Sequence, residues 1–138
     1  MNPDVKQKWI AALRSGDYKQ TREQLRRRNS YCCLGVLTDL YDKNKVESKD
    51  CWCGNSYSYT NGEAKCKANL LLPPPVMEWA GLEASNPNVE YPTRIGWTVT
   101  PDQCNKMDLD PDFASLAYLN DSKKLNFNQI ADIIEEQC

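Results

Sequence analysis

At 138 residues, 41% hydrophobic and 26% charged, the chain has the make-up of a soluble globular protein and the length of one domain that buries its own core. Its net charge of −2 excludes general polyanion binding by net charge, and equally a strongly acidic mimic of DNA. It contains no histidine, which removes serine–histidine and cysteine–histidine triads, His-liganded zinc hydrolases and paired-His metal sites. An enzyme built from this sequence would rely on carboxylates, Lys, Tyr, Cys or backbone amides.

No apolar run approaches the length of a membrane span, and the chain leads from Met1 straight into a helix rather than a signal peptide, so a cytoplasmic protein is expected. Seven cysteines are many for such a chain, but an odd count without a secretory signal favours free thiols over a disulfide framework.

The first helix is well marked. Asn2 can cap it, Pro3 suits its first turn, Val5, Trp9, Ala12 and Leu13 form an apolar stripe, and Gly16 can end it. Tyr18 to Leu25 reads as a short strand or extended arm, which Arg26 to Ser30 connects to a central helix over Asn29 to Tyr41. Cys33, Val36, Leu37, Leu40 and Tyr41 share one face of that helix, and Asn29 or Ser30 can cap it. Gly35 inside it costs about 1 kcal/mol of helix propensity against Ala, which points to another backbone passing close by.

Asp42 to Asp50 is a loop by composition. Asn61-Gly62 predicts a hairpin turn joining Trp52–Thr60 to Glu63–Leu71. Pro73 to Pro75 force an extended approach to a short helix over Val76 to Ala80 that Gly81 ends. Glu83 to Tyr91 reads as loop, Pro92 to Thr100 as a short strand, and Pro101 to Lys106 as one helical turn. Asp110-Pro111 reads as a helix start, with Phe113, Leu116, Ala117 and Leu119 on the buried face and Asn120 to Ser122 as its break. The last helix is capped by Asn126 with Gln129 completing a capping box, and buries Phe127, Ile130, Ala131 and Ile134. The expected fold is α+β, a single compact domain over residues 1–138, with four to five helices around a small antiparallel sheet or hairpin.

Charge marks one candidate site. Residues 19 to 28 carry five basic side chains (Lys19, Arg22, Arg26, Arg27 and Arg28) against Glu23, whereas the stretch from Asp102 to Cys138 is predominantly acidic. Arginine forks match phosphate oxygens two at a time, and Tyr18, Tyr31, Trp52, Tyr57 and Tyr59 offer stacking surfaces. A solvated loop with ordinary surface arginines is the plain alternative. One basic arm on an acidic chain makes nucleic acid a weak candidate, bound only with steep salt dependence.

Cysteine spacing raises a metal reading, in which Cys51, Cys53, Cys66 and Cys104 hold zinc. Cys-x-Cys fits tetrahedral geometry less well than Cys-x2-Cys, so no resident metal is expected. Cys32 and Cys33 read as small core residues. Asp108, Asp110 and Asp112 resemble the start of a calcium loop, but Phe113 and Leu119 stand where its glycine and closing glutamate belong.

The blocks Trp9 to Gly16, Tyr18 to Gln20, Tyr31 to Leu37, Leu72-Pro73 with Val76 and Trp79 to Leu82, Leu116-Ala117 with Leu119 to Asp121, and Phe127 with Ile130 to Asp132 together resemble a family of small proteins encoded by bacteriophages and prophages. The resemblance supplies no catalytic residues, and Cys51, Cys53, Cys66 and Cys104 lie outside its blocks. It implies a phage accessory protein acting against host defence in the host cytosol.

Joined to the basic arm, it gives the expectation of a homo-oligomer that sequesters a small nucleotide-derived immune signal without turnover, through Lys19, Arg22, Arg26, Arg27, Tyr31 and Asn120. The alternatives are an inhibitor that binds a host defence protein through the hairpin or the acidic last helix, and a histidine-independent nucleotide-cleaving enzyme.

Overall fold

The computed structural model describes residues 1–90 and 113–138. The strand expected over 92–100, the helical turn over 101–106, the helix start at Asp110-Pro111, the aspartate pattern at 108–112 and Cys104 lie outside them.

Helix α1 (Pro3–Arg14) starts where the sequence says it should: Asn2 Oδ1 accepts from the free amides of Asp4 (3.0 Å) and Val5 (3.4 Å). It buries Val5, Trp9, Ile10 and Leu13, and Trp9 Nε1 donates to the Cys33 carbonyl at 2.9 Å.

The next segment differs from the expected single arm. The chain is extended at β1 (Lys19–Gln20), bends, and forms β2 (Arg26–Arg27) and β3 (Ser30–Tyr31). These three pair in the order β1-β3-β2, with β1 parallel and β2 antiparallel to β3. Leu25 causes the bend. Its side chain is fully buried, its amide donates to the Asn69 carbonyl (2.7 Å), and its carbonyl accepts from Cys32 (3.1 Å).

Because Ser30 and Tyr31 belong to a strand, neither Ser30 nor Asn29 caps the central helix. Helix α2 spans Cys33–Asn44 and its cap is Cys32, whose Sγ accepts from the Gly35 amide at 3.3 Å. Every residue from Cys33 to Asp39 is buried. Gly35 lies against the Leu25 carbonyl, the close backbone inferred from its place in the helix.

The expected two-stranded hairpin is a three-stranded antiparallel meander of β4 (Cys51–Cys53), β5 (Ser56–Asn61) and β6 (Ala64–Ala68). Gly54, at φ +63°, supplies the additional turn. The second turn sits one residue later than the Asn-Gly pair suggests: Asn61 pairs with Ala64, leaving Gly62 (φ +67°) and Glu63 as the loop.

Helix α3 (Pro74–Ala80) ends on Gly81 in the left-handed region, as expected. Within the stretch expected to be loop, β7 (Asn88–Glu90) pairs antiparallel with β8 (Phe113–Ser115). Its partner is distant in sequence, so no local pattern announces it. Helix α4 (Leu116–Asp121) therefore starts later than expected, capped by Ser115 Oγ, which accepts from Tyr118 at 3.1 Å. Helix α5 (Phe127–Gln137) has the full Asn126/Gln129 capping box and packs its apolar stripe, with Ile133 added, along α1. Arg14 joins the two helices at the surface through Asp132 and Glu135.

The architecture is α+β, with helices α1 to α5 and the small sheets enclosing a continuous apolar core. Among the described residues no helix is long and apolar enough to cross a membrane.

Candidate anion-binding face

Strand register sorts the basic arm into two faces. Lys19, Ser30 and Arg27 are paired across the sheet in one row, and Gln20, Tyr31 and Arg26 in the next. Successive strand residues point to opposite sides, so the first row faces out and the second faces in. Burial agrees: Lys19 and Arg27 are exposed, whereas Gln20, Tyr31 and Arg26 are half-buried.

The outward row borders an open depression of about 450 Å³ lined by Lys19, Thr21, Arg27, Arg28, Asn29 and Ser30. Among the described residues its lining is three cations, three hydroxyl or amide side chains, and no carboxylate. Among the described residues Lys19, Arg27 and Arg28 form no ion pair with a carboxylate, unlike Arg14, Lys43 and Lys45. Such a donor set holds anionic oxygens, with Arg forks reaching two at once.

Arg28 sits at φ +57°, a conformation that costs an L-residue about 1–2 kcal/mol. It is the first of the two residues between the paired Arg27 and Ser30. In the two meander hairpins the same position is held by Gly54 and Gly62. Arg28 is kept there from both sides: its amide donates to Asn55 Oδ1 (2.9 Å), and its carbonyl accepts from Arg26 Nε (2.7 Å).

The inward row joins other machinery. The Arg26 guanidinium carbon lies 5.6 Å from the Tyr31 ring centre and 5.3 Å from that of Trp52, in cation–π range. Edge-to-face contacts of 5.2 to 6.2 Å run in series from Tyr18 to Tyr31, Trp52, Tyr57, Tyr41 and Trp79. Carboxylates of α2 and the following loop serve the polar ends of this series. Asp39, almost fully buried, accepts from Tyr18 (2.6 Å) and Trp52 Nε1 (3.1 Å) and pairs with Lys43. Asp42 accepts from Tyr57 (3.0 Å) and Asp50 from Tyr41 (3.0 Å). Burial, aided by Asp39, pushes the Tyr18 phenol up to about 12. Burial with Asp42 pushes Tyr57 up as well, and burial raises Tyr31. Of the rings expected to stack on a base, Tyr18, Tyr31, Trp52 and Tyr57 thus pack on one another, away from the outward row.

Asn120 is fully buried and its amide is saturated. Oδ1 accepts from Gln20 Nε2 (2.8 Å) and the Cys33 amide (3.2 Å), while Nδ2 donates to the Thr21 carbonyl (3.0 Å) and Asp121 Oδ1 (2.7 Å). Two acceptor and two donor positions are all such an amide possesses. Its place is beneath the sheet, holding β1 to α2 and α4. Arg22 lies outside the depression lining, half-buried, with its Nε buried and without a hydrogen-bond partner among the described residues.

Of the six residues expected at the site, Lys19 and Arg27 come together on the outward face, Arg26 and Tyr31 meet on the inward face, and Asn120 lies below. Arg28, Thr21, Asn29 and Ser30 complete the outward face; Arg28 was visible in the arginine run, but only strand register separates it from Arg26.

The meander's pleat also bears on zinc. Cys51 and Cys53 share a face with Ser58 and Ser56, whereas Cys66 pairs with Tyr59 and points to the other. Among the described residues no three Cys, Asp or Glu side chains gather as a metal would require. Cys32 and Cys33 are buried, and burial pushes the Cys32 thiol up to about 12 and Cys33 also upward.

No curated protein and no solved structure matches the chain. A family model does match it, and over every residue from 1 to 138, including both rows of the small sheet and the amide beneath them. The chain belongs to the family described as domain of unknown function DUF8296.

Proposed function

We propose that the protein binds a small, phosphate-bearing anion of nucleotide type on the outward face of β1-β3-β2 and holds it without turnover. The observation that supports this most directly is the grouping of Lys19, Arg27 and Arg28 around one open depression with no carboxylate partner among the described residues. Unpaired cations side by side repel each other, and an anion relieves that repulsion. The hydroxyls of Thr21 and Ser30 and the amide of Asn29 add neutral donors. The lining offers contacts for a phosphate and, among the described residues, no carboxylate to act as a general base.

Together with the resemblance to phage-encoded proteins, this supports a role as a cytosolic accessory protein that withdraws a nucleotide-derived signal from host defence. Isothermal titration against cyclic dinucleotides, linear nucleotides and ADP-ribose tests it, with chromatography of the recovered ligand. We expect heat with at least one of these, recovery of the ligand unchanged, and at least tenfold weaker binding in a Lys19→Ala, Arg27→Ala double variant. Silence with every ligand, or undiminished binding by the double variant, would overturn the reading.

A second reading has Leu70 and Leu71 in its favour, which stand 55% and 42% exposed just beyond β6, an edge strand of the meander. Here a host defence protein docks on that edge. Stoichiometric co-purification of one host protein, lost in a Leu70→Asp, Leu71→Asp variant, would support it over the nucleotide reading.

A further inference from the structure

We propose that Arg28 is the principal anion contact of this face, that the β2–β3 hairpin is strained in order to present it, and that the ligand group is a diphosphate rather than a single phosphate or a carboxylate. The proposal rests on the anion-binding reading above and makes it specific.

Among the described residues three hairpins have two-residue loops, and the first loop residue has positive φ in each: Gly54, Gly62 and Arg28. Glycine takes that conformation freely, and arginine does not. Glu23, Glu47 and Lys124 also have positive φ, but none of them lies in a hairpin loop of this kind. At Arg28 both backbone groups are gripped by side chains, the amide by Asn55 and the carbonyl by Arg26. Strained residues persist where their surroundings over-determine them, and such places concentrate at ligand sites. Asn55 belongs to the β4–β5 loop and is absent from the depression's lining, so it is a positioning residue that acts through Arg28.

The ligand class follows from charge and span. Lys19 and Arg27 stand two inter-strand steps apart, about 10 Å between backbones, with Arg28 next along the chain. Three positive charges without a carboxylate partner among the described residues match the roughly threefold negative charge of a terminal diphosphate near neutral pH. A phosphate monoester supplies less, and a carboxylate a single charge without the geometry to meet separate forks.

The test uses the intact protein with inorganic phosphate, pyrophosphate and ADP at one fixed ionic strength. Pyrophosphate and ADP are expected to bind at least tenfold more tightly than phosphate. Arg28→Gly should weaken pyrophosphate binding at least tenfold while raising Tm by a few degrees, because the strain is gone. Asn55→Ala should weaken binding in the Arg28 protein and have no effect on residual binding in the Arg28→Gly background, where no clamp is needed. A merely structural Asn55 would act equally in both.

Undiminished pyrophosphate binding in Arg28→Gly, with loss in the Lys19→Ala, Arg27→Ala variant, would overturn the role of Arg28 and leave the anion site standing. A lower Tm in Arg28→Gly would overturn the strain argument. Equal affinity for phosphate and pyrophosphate would overturn the diphosphate assignment. Absence of binding to all three anions would remove this proposal and the anion-binding reading beneath it.

Discussion

A Cβ on Gly35 would fall 1.8 Å from the carbonyl oxygen of Leu25, inside any permissible contact distance. The two backbones touch because the Leu25 carbonyl accepts from Cys32, the cap of α2, one residue before the strand that carries Arg26 and Arg27. The first turn of the central helix therefore sets the height of the small sheet above the core. Gly35→Ala is expected to destabilise the protein by about 3 kcal/mol, since overpacking against backbone outweighs the roughly 1 kcal/mol that alanine contributes to helix propensity. Urea unfolding checks this; a variant as stable as the parent would show that the close approach does not constrain the fold.

Asn120 supplies a second prediction. Asn120→Ala leaves the Cys33 amide and the Thr21 carbonyl without their side-chain partner in a buried place, which costs about 2–4 kcal/mol in total. Asn120→Asp should be worse at neutral pH, because a second carboxylate oxygen would face the Thr21 carbonyl and Asp121 where the amide now donates to both. Denaturant midpoints of the two variants at pH 7 and near pH 4 check it. The Asp variant should recover part of its deficit on acidification, and an Asp variant equal to the parent at pH 7 would remove the saturated-amide account.

How much of this was legible depends on how far each feature reaches along the chain. The caps Asn2, Gly81 and Asn126 with Gln129 are readable because donor and acceptor lie within one turn. Gly35 is readable because glycine in an apolar helix needs a reason. Ser30 and Tyr31 are not readable as a strand, because two residues carry no period and their partners at Lys19 and Arg26 are set by the burial of Leu25. The same limit governs the site. Charge alone marks Lys19 to Arg28, but only strand register sends Arg27 outward and Arg26 inward. Asn120 reads as a turn residue because nothing local reveals that the turn is folded beneath the sheet.

Thiol chemistry tests the meander. Cys51 and Cys53 are exposed on β4, while Cys32 and Cys33 are buried and their thiols are pushed upward by burial. Iodoacetamide at neutral pH is expected to label Cys51 and Cys53 in the native protein and to reach Cys32 and Cys33 only after unfolding. Peptide mapping resolves each site. A shared zinc site would shield Cys51, Cys53 and Cys66 together; because Cys66 lies on the opposite face, added zinc should leave its labelling rate unchanged. Native labelling of Cys33, or joint protection of the three by zinc, would contradict the placement.

The aromatic series predicts a loss of stability in alkali. The Tyr18 phenol is raised to about 12 in the folded protein, first by burial and then by its bond to Asp39, and Tyr57 is raised by burial and Asp42. An unfolded phenol titrates near 10. Between those values the unfolded chain has released protons that the native protein still holds, so stability falls as pH rises. The contribution is therefore present in full below about pH 10 and is lost as pH climbs through 12. Urea midpoints should stay level from pH 8 to about 9.5 and fall above 10, and native phenolate absorbance should rise later than that of the unfolded chain. Tyr18→Phe should cost about 1 kcal/mol at neutral pH through its lost hydrogen bond, and it should make the alkaline fall shallower by removing one late-titrating phenol. A Tyr18→Phe variant with an unchanged alkaline profile would show that this phenol is not held by Asp39.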